Sequence, residues 1–84
     1  MSKLIDLINA GLVTSGEELI WVRRVAKQQH LAVVNADGSI STEDGKTHRT
    51  PSGAAKHLNG NKPVDGWLAW KIKRTGVSLG SLRN

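Results

Sequence analysis

The sequence predicts an α+β fold, a small antiparallel β-meander sheet packed by one or two short helices, and two observations predict it. Runs rich in β-branched residues are separated by Asp-Gly pairs at 37–38 and 44–45, which are typical of hairpin turns because both residues tolerate positive φ. A Thr-Pro pair at 50–51 then begins a segment with helical signals. The 84 residues leave room for one domain, which we place at 1–84.

The elements are predicted in order along the chain. A helix over 3–10 presents an apolar face, with Ser2 as its N-cap and Gly11 directly after its end. A second helix over 51–59 ends before Gly60, which suits the left-handed conformation that often follows a helix. The predicted strands cover 18–25, 30–36, 39–43, 46–49 and 67–74.

Charge is distributed unevenly along the chain. Residues 1–45 carry four bases and six acids, for a net charge of −2, whereas residues 46–84 carry eight bases and one acid, for +7. Because these halves are too short to be separate domains, we expect one polarised surface on a single domain. A basic surface of this kind attracts polyanions, nucleic acid first, although it could also keep the protein soluble beside a neutral or acidic partner.

Several classes of function are not expected. No apolar run approaches the roughly 18–20 residues that span a bilayer. With no cysteine, the chain has no disulfide framework, so we expect a cytoplasmic protein without membrane contact.

The sequence GVSLG over 76–80 fits the G-x-S-x-G of hydrolases, but only four residues follow it, too few to supply the partner acid and histidine. The three histidines lack metal-ligand spacing. We therefore expect no enzyme activity, no cofactor and no metal.

The tryptophans of the predicted last strand differ in their expected roles. A period of two places Trp70 on one face with the aliphatic Leu68 and Ile72, so we expect that face, Arg74 apart, to join the core. The other face combines Trp67 with Lys71 and Lys73, and an aromatic platform beside cations is suited to binding bases and phosphates. The alternative is that Trp67 covers the edge of the sheet or packs under the helix.

The start of the second helix is a candidate phosphate site. Its N-terminal N–H groups are unpaired, Thr50 and Ser52 add hydroxyls, and Arg49 stands beside them. Ordinary N-capping is the alternative reading of the same residues. If the last strand runs antiparallel along the helix, Lys71 and Lys73 lie near its N-terminus, and Trp67 lies near Lys56 and His57 at the other end.

Five short segments resemble the RAMA domain, the restriction enzyme and adenine methyltransferase associated domain. They occur in the family's order and span nearly the whole chain: KLIDLINAGLV at 3–13, ADGSI at 36–40, TPSGAAK at 50–56, DGWLAW at 65–70 and GVSLGSLR at 76–83. The chain departs from the family pattern at Thr50, where Ser is usual, at Gly53, where Ala is usual, and at Asp65, where Asn is usual. A carboxylate cannot donate the hydrogen bonds that an Asn amide can donate.

The resemblance implies a non-catalytic DNA-binding module of a restriction, modification or defence system, with methylated adenine as the target in some members. The alternative is a protein-interaction module that docks onto a nuclease or methyltransferase. RNA binding is a third reading, but the sequence has no aromatic RNP-type motif. The expected partners are DNA, including the adenine-methylated duplex, and a protein of such a system. The candidate nucleic-acid-binding residues are Arg49, Thr50, Ser52, Lys56, Trp67, Lys71, Lys73 and Arg74.

Overall fold

A five-stranded antiparallel sheet forms the centre of the computed structural model, which describes residues 3–23 and 28–83. The strand order is β4-β3-β2-β1-β5, so the first four strands form a meander and the fifth joins beside the first. The predicted α+β class and meander are therefore confirmed. The strands are β1 (Glu18–Arg23), β2 (Gln28–Val34), β3 (Ile40–Thr42), β4 (Thr47–His48) and β5 (Lys71–Ile72).

Within residues 3–23 and 28–83, four short helical segments accompany the sheet. They are α1 (Leu4–Asn9), α2 (Pro51–Leu58), α3 (Gly66–Ala69) and a 3₁₀ helix (Leu79–Leu82). The described part of the chain contains no helix with the length and hydropathy needed to cross a membrane.

The predicted termini differ from the structure most clearly at α1 and β2; β3, β4 and α2 are each shorter than predicted by one residue at one or both ends. Helix α1 is capped at Lys3, whose backbone N–H donates to the Asp6 carboxylate at 2.8 Å, so the predicted cap at Ser2 is wrong. Ser2 itself lies outside the described residues. Strand β2 begins at Gln28 rather than at 30, and the predicted end of the first strand falls on 24–27, also outside the described residues.

The predicted strand over 67–74 is wrong. The Asp65 carboxylate accepts a hydrogen bond from the Trp67 N–H at 3.0 Å, which caps the helical turn α3, and only two residues of β5 follow. This local cap overrides the alternating pattern. Leu68, expected in the core, is consequently 66 % exposed, whereas Trp70 is fully buried as predicted.

The hydrophobic core lies on one face of the sheet. Leu19 of β1, Ala32 of β2 and Ile72 of β5 are paired in register and all buried, and they cluster with apolar residues of the helices. Residues one position away along these strands point to the opposite face, since side chains alternate in a strand. The candidate site described below lies among the helices and loops that pack on the core face of the sheet.

Candidate nucleic-acid interface

A groove of about 700 Å³ opens where the starts of α1 and α2, the β2–β3 turn and α3 meet. Part of its wall is apolar, formed by Leu4, Ile5, Pro51 and Trp67. The charged residues of the groove are three bases and one acid, namely Lys3, Arg49, Arg83 and Asp37. The groove thus combines an aromatic ring and an excess of positive charge in one concave surface.

Gly66 holds α3 against the N-terminus of α2. Its Cα lies so close to the Pro51 carbonyl that a Cβ at this position would overlap that group. Its N–H donates to the Ser52 hydroxyl at 3.0 Å, and the indole N–H of the buried Trp70 donates to the Pro51 carbonyl at 3.1 Å. Trp67, one residue after Gly66, is thereby brought to the groove beside Thr50.

Arg83 lies on the face of the Trp67 ring. Its guanidinium carbon is 3.9 Å from the ring centroid, a close cation–π contact, and Trp67 is half-buried. A base entering the groove can stack on the planar guanidinium, or it can take its place on the indole, while the displaced cation remains available to a phosphate.

The β2–β3 turn forms the opposite side of the groove. Gly38 has φ +87°, and a Cβ there would lie 2.9 Å from the Cβ of Ile5, so the turn packs closely on α1. The hydroxyl and backbone N–H of Ser39 donate to the Asp37 carboxylate at 2.6 and 3.0 Å and lower the pKa of that carboxyl. Asp37 stays ionised at neutral pH, so a bound phosphate would favour the sides formed by Arg49, Lys3 and Arg83.

The two hydroxyls at the start of α2 have structural roles. The Thr50 hydroxyl accepts a hydrogen bond from the Gly53 N–H at 2.9 Å, the N-capping that was the alternative to a phosphate site. The Ser52 hydroxyl accepts from Gly66. Arg49 is exposed at the groove, whereas Lys56 is exposed in the last turn of α2 and does not line it.

Three basic residues of the C-terminal half, Lys71, Lys73 and Arg74, do not line the groove at this helix terminus. The Lys73 ammonium lies 3.3 Å from the Glu18 carboxylate, and the Arg74 guanidinium lies 3.3 Å from that of Glu17. Lys71 pairs with Ile20 in the sheet. The predicted arrangement is therefore wrong: Trp67 lies beside the N-terminus of α2, because α3 replaces the first half of the expected strand.

The groove contains functional candidates that the sequence reasoning missed. Lys3, Asp37 and Arg83 were not among the predicted site residues, although each lies in a segment that carries the family resemblance. The family segments were therefore the feature of the sequence that could have identified these three residues. The structure brings together three of the eight predicted residues in the groove: Arg49, Thr50 and Trp67.

A second polar cluster joins α2 to the turn between β3 and β4. The His57 ring nitrogen Nε2 lies 2.6 Å from the Asp44 carboxylate, and the rings of His57 and His48 are 4.8 Å apart. Hydrogen bonds from Thr42 and His57 hold the pKa of Asp44 well below its usual range. Within 3–23 and 28–83, no group of three potential ligands is arranged to hold a metal ion.

Ser78, the serine of the G-x-S-x-G sequence, lies at the start of the 3₁₀ helix. Its hydroxyl shares a hydrogen bond with that of Ser81 at 2.7 Å. This contact joins the residue that precedes the 3₁₀ helix to a residue within it.

Comparison with known proteins gives one family match. The model of the RAMA family, described as Restriction Enzyme Adenine Methylase Associated, matches residues 2–84, nearly the whole chain. No curated protein matches the sequence.

Proposed function

The chain belongs to the RAMA family, and on this premise we propose that it is a non-catalytic DNA-binding module of a restriction or modification system. The proposed contact surface is the groove between α1, α2 and α3. The family description associates such domains with restriction enzymes and adenine methylases, enzymes whose substrate is DNA. We propose the cytoplasm as its compartment, in keeping with a sequence that has no cysteine.

The observation that carries the proposal is the position of Trp67 in a groove with three cations. An aromatic ring offers a stacking surface to any base, and a stacked base contributes about 1–3 kcal/mol to binding. Lys3, Arg49 and Arg83 can neutralise the flanking phosphates. The formal net charge of +5 adds a general attraction for polyanions.

Adenine-methylated DNA is the target that we propose. A methyl group on the exocyclic amine of adenine adds apolar surface to a base edge, and burying one such group contributes about 0.8 kcal/mol. Ile5 and Trp67, both half-buried, provide apolar surface within the groove, whereas Leu4 and Pro51 are almost fully buried behind it. This apolar surface supports a preference for the methylated base.

The remaining predicted residues have a lesser part in this proposal. Lys56 and Lys71 would add to the positive field without lining the groove. Lys73 and Arg74 would contribute less, because each is already paired with a glutamate. Ser52 would act by holding α3 in place.

Asp65 stands where the family pattern has Asn. Its side chain caps α3 through an oxygen that an Asn side chain also possesses, which argues that the substitution keeps the groove intact.

The test is binding of the full chain to two short duplexes of one sequence, unmodified and adenine-methylated, by fluorescence anisotropy at 50 and 200 mM salt. About three phosphate contacts give a log–log salt slope near −3, and the methylated duplex is expected to bind more tightly. An absence of salt-dependent affinity would contradict DNA binding. A stable complex with a purified nuclease or methyltransferase would then favour the alternative, a docking module.

A further inference from the structure

The face of the sheet opposite the helices carries an apolar centre. Ile20 and Val22 of β1 and Leu31 and Val33 of β2 alternate with the buried residues of their strands, and so point away from the core. Val22 is 58 % exposed and Val33 39 %. We call this surface the outer face. The core clusters on the other side of the sheet, and at the β5 edge of the outer face Leu68 and Ala69 of α3 lie beside Val22 and Lys71.

One row of side chains across the outer face has opposite charges at its two ends. Lys71 of β5 is paired with Ile20, and Ile20 is paired with Leu31. Beyond Leu31 lies Glu43, whose carboxylate accepts a hydrogen bond from the Leu31 N–H at 3.3 Å. Across the sheet, the row therefore consists of a basic residue, two apolar residues and an acidic residue. Among the described residues, Lys71 has no ion-pair partner within its own chain, whereas the Glu43 carboxylate lies 3.8 Å from the ring nitrogen Nδ1 of His30.

This row is complementary to itself. Two copies packed outer face to outer face can be related by a two-fold axis. This axis runs parallel to the strands, midway between β1 and β2, in the plane halfway between the two faces. Rotation about this axis places Ile20 of one copy over Leu31 of the other, and Lys71 over Glu43 at both ends. Packing of two sheets in nearly aligned directions is a common arrangement of twisted sheets, and isologous two-fold contacts are the commonest in oligomers.

We propose that the outer face binds a second copy of this chain in a two-fold, face-to-face dimer. The five strands, about 4.8 Å apart, and their short lengths limit the face to roughly 20 by 20 Å. Such an area is about half of the ~800 Å² per partner that stable complexes bury, so we expect the dimer to be weak and to dissociate on dilution.

The dimer is compatible with the groove but does not depend on it. The groove is lined by residues of the helices and loops of the layer that packs on the core face. It therefore remains accessible when the outer face is covered. A dimer would carry two grooves directed away from each other, suited to two separate segments of nucleic acid.

The mass of the chain in solution tests the dimer. By sedimentation equilibrium between 20 µM and 1 mM in 150 mM salt, the weight-average mass should rise from near 9.1 kDa towards twice that value. Val22→Lys brings two lysines together across the axis and should weaken association at least ten-fold. Leu12→Lys, at a residue 46 % exposed in the loop after α1, is the matched control and should leave it unchanged.

A charge exchange tests the geometry of the pair. Lys71→Glu should weaken the dimer, and adding Glu43→Lys to the same chain should restore it. Thermal melts followed by tryptophan fluorescence verify that each variant is folded. A wild-type chain that remains at 9.1 kDa up to 1 mM would overturn the proposal, as would a Val22→Lys variant that associates like the wild type. Failure of the double exchange to restore association would refute the two-fold arrangement.

Discussion

The Cα of Gly66 rests against the carbonyl of Pro51, with no room for a side chain between them. This contact joins two helices that are separated in the chain by a loop, and it fixes the position of Trp67 relative to the N-terminus of α2. The groove therefore depends on a residue that contributes no side chain of its own.

Gly66→Ala should destabilise the domain by about 3 kcal/mol, the upper end of the usual cost of overpacking, because the new methyl group would overlap backbone atoms that cannot move independently. Gly53→Ala, in α2, is the control. Its Cβ would lie 3.0 Å from the Thr50 hydroxyl, a mild conflict offset by the higher helix propensity of Ala, so the net change should stay below about 1 kcal/mol. Urea denaturation measures both variants, and equal effects would contradict the contact argument.

Trp70→Ala should cost about 3–5 kcal/mol, because the ring is fully buried and its indole N–H is hydrogen-bonded to Pro51. Trp67→Ala should cost clearly less, since that ring is only half-buried, packs against the core cluster from outside it and contacts Arg83 at the groove. Urea melts of the two variants rank them. A larger loss for Trp67→Ala would mean that the groove wall is part of the core.

Arg49→Gln should flatten the log–log salt slope of DNA binding by about one unit, the loss of one phosphate contact. Arg74→Gln is the matched control, because this guanidinium is paired with Glu17 away from the groove and should leave the slope nearly unchanged. Anisotropy titrations at four salt concentrations provide the slopes. A larger change in salt slope for Arg74→Gln than for Arg49→Gln would indicate that DNA binds at the edge formed by Lys73 and Arg74 and not at the groove.

Stability should fall as the pH decreases below about 6.5, the ordinary pKa of histidine. Burial, and then the neighbouring His57, lower the pKa of His48 in the folded chain, while Asp44 acts in the opposite direction. The unfolded chain therefore binds the proton first, so this contribution is complete above pH 6.5 and is lost as the pH falls towards the lowered value.

His48→Gln isolates that contribution, because Gln cannot titrate. Urea midpoints between pH 7.5 and 5 should decline less steeply in the variant than in the wild type. The Nε2 atom of His48 is buried without a hydrogen-bond partner among the described residues, so protonation there gains no compensating contact. Identical pH profiles for the two chains would refute the assignment to His48.

Local signals in the sequence determined most of the elements. The Asp-Gly pairs predicted the turns of the meander, and the Thr50-Pro51 pair predicted the start of α2, because these residues act on backbone conformation within three or four positions. The burial of Trp70 was also predicted, although from a strand that the structure does not contain. The ordered family segments identified the family, which the match over 2–84 confirms.

Only the tertiary structure decided which side chains share the groove. Trp67 meets Arg83, sixteen positions later, and Gly66 meets Ser52, fourteen positions earlier, through contacts that no local pattern encodes. The carboxylates of Glu17 and Glu18 likewise pair with Arg74 and Lys73 across the fold. Charge and aromatic content are properties of composition, but their alignment in space follows from how the helices pack on the sheet. A single capped turn at Asp65 redirected the chain, and with it the predicted interface.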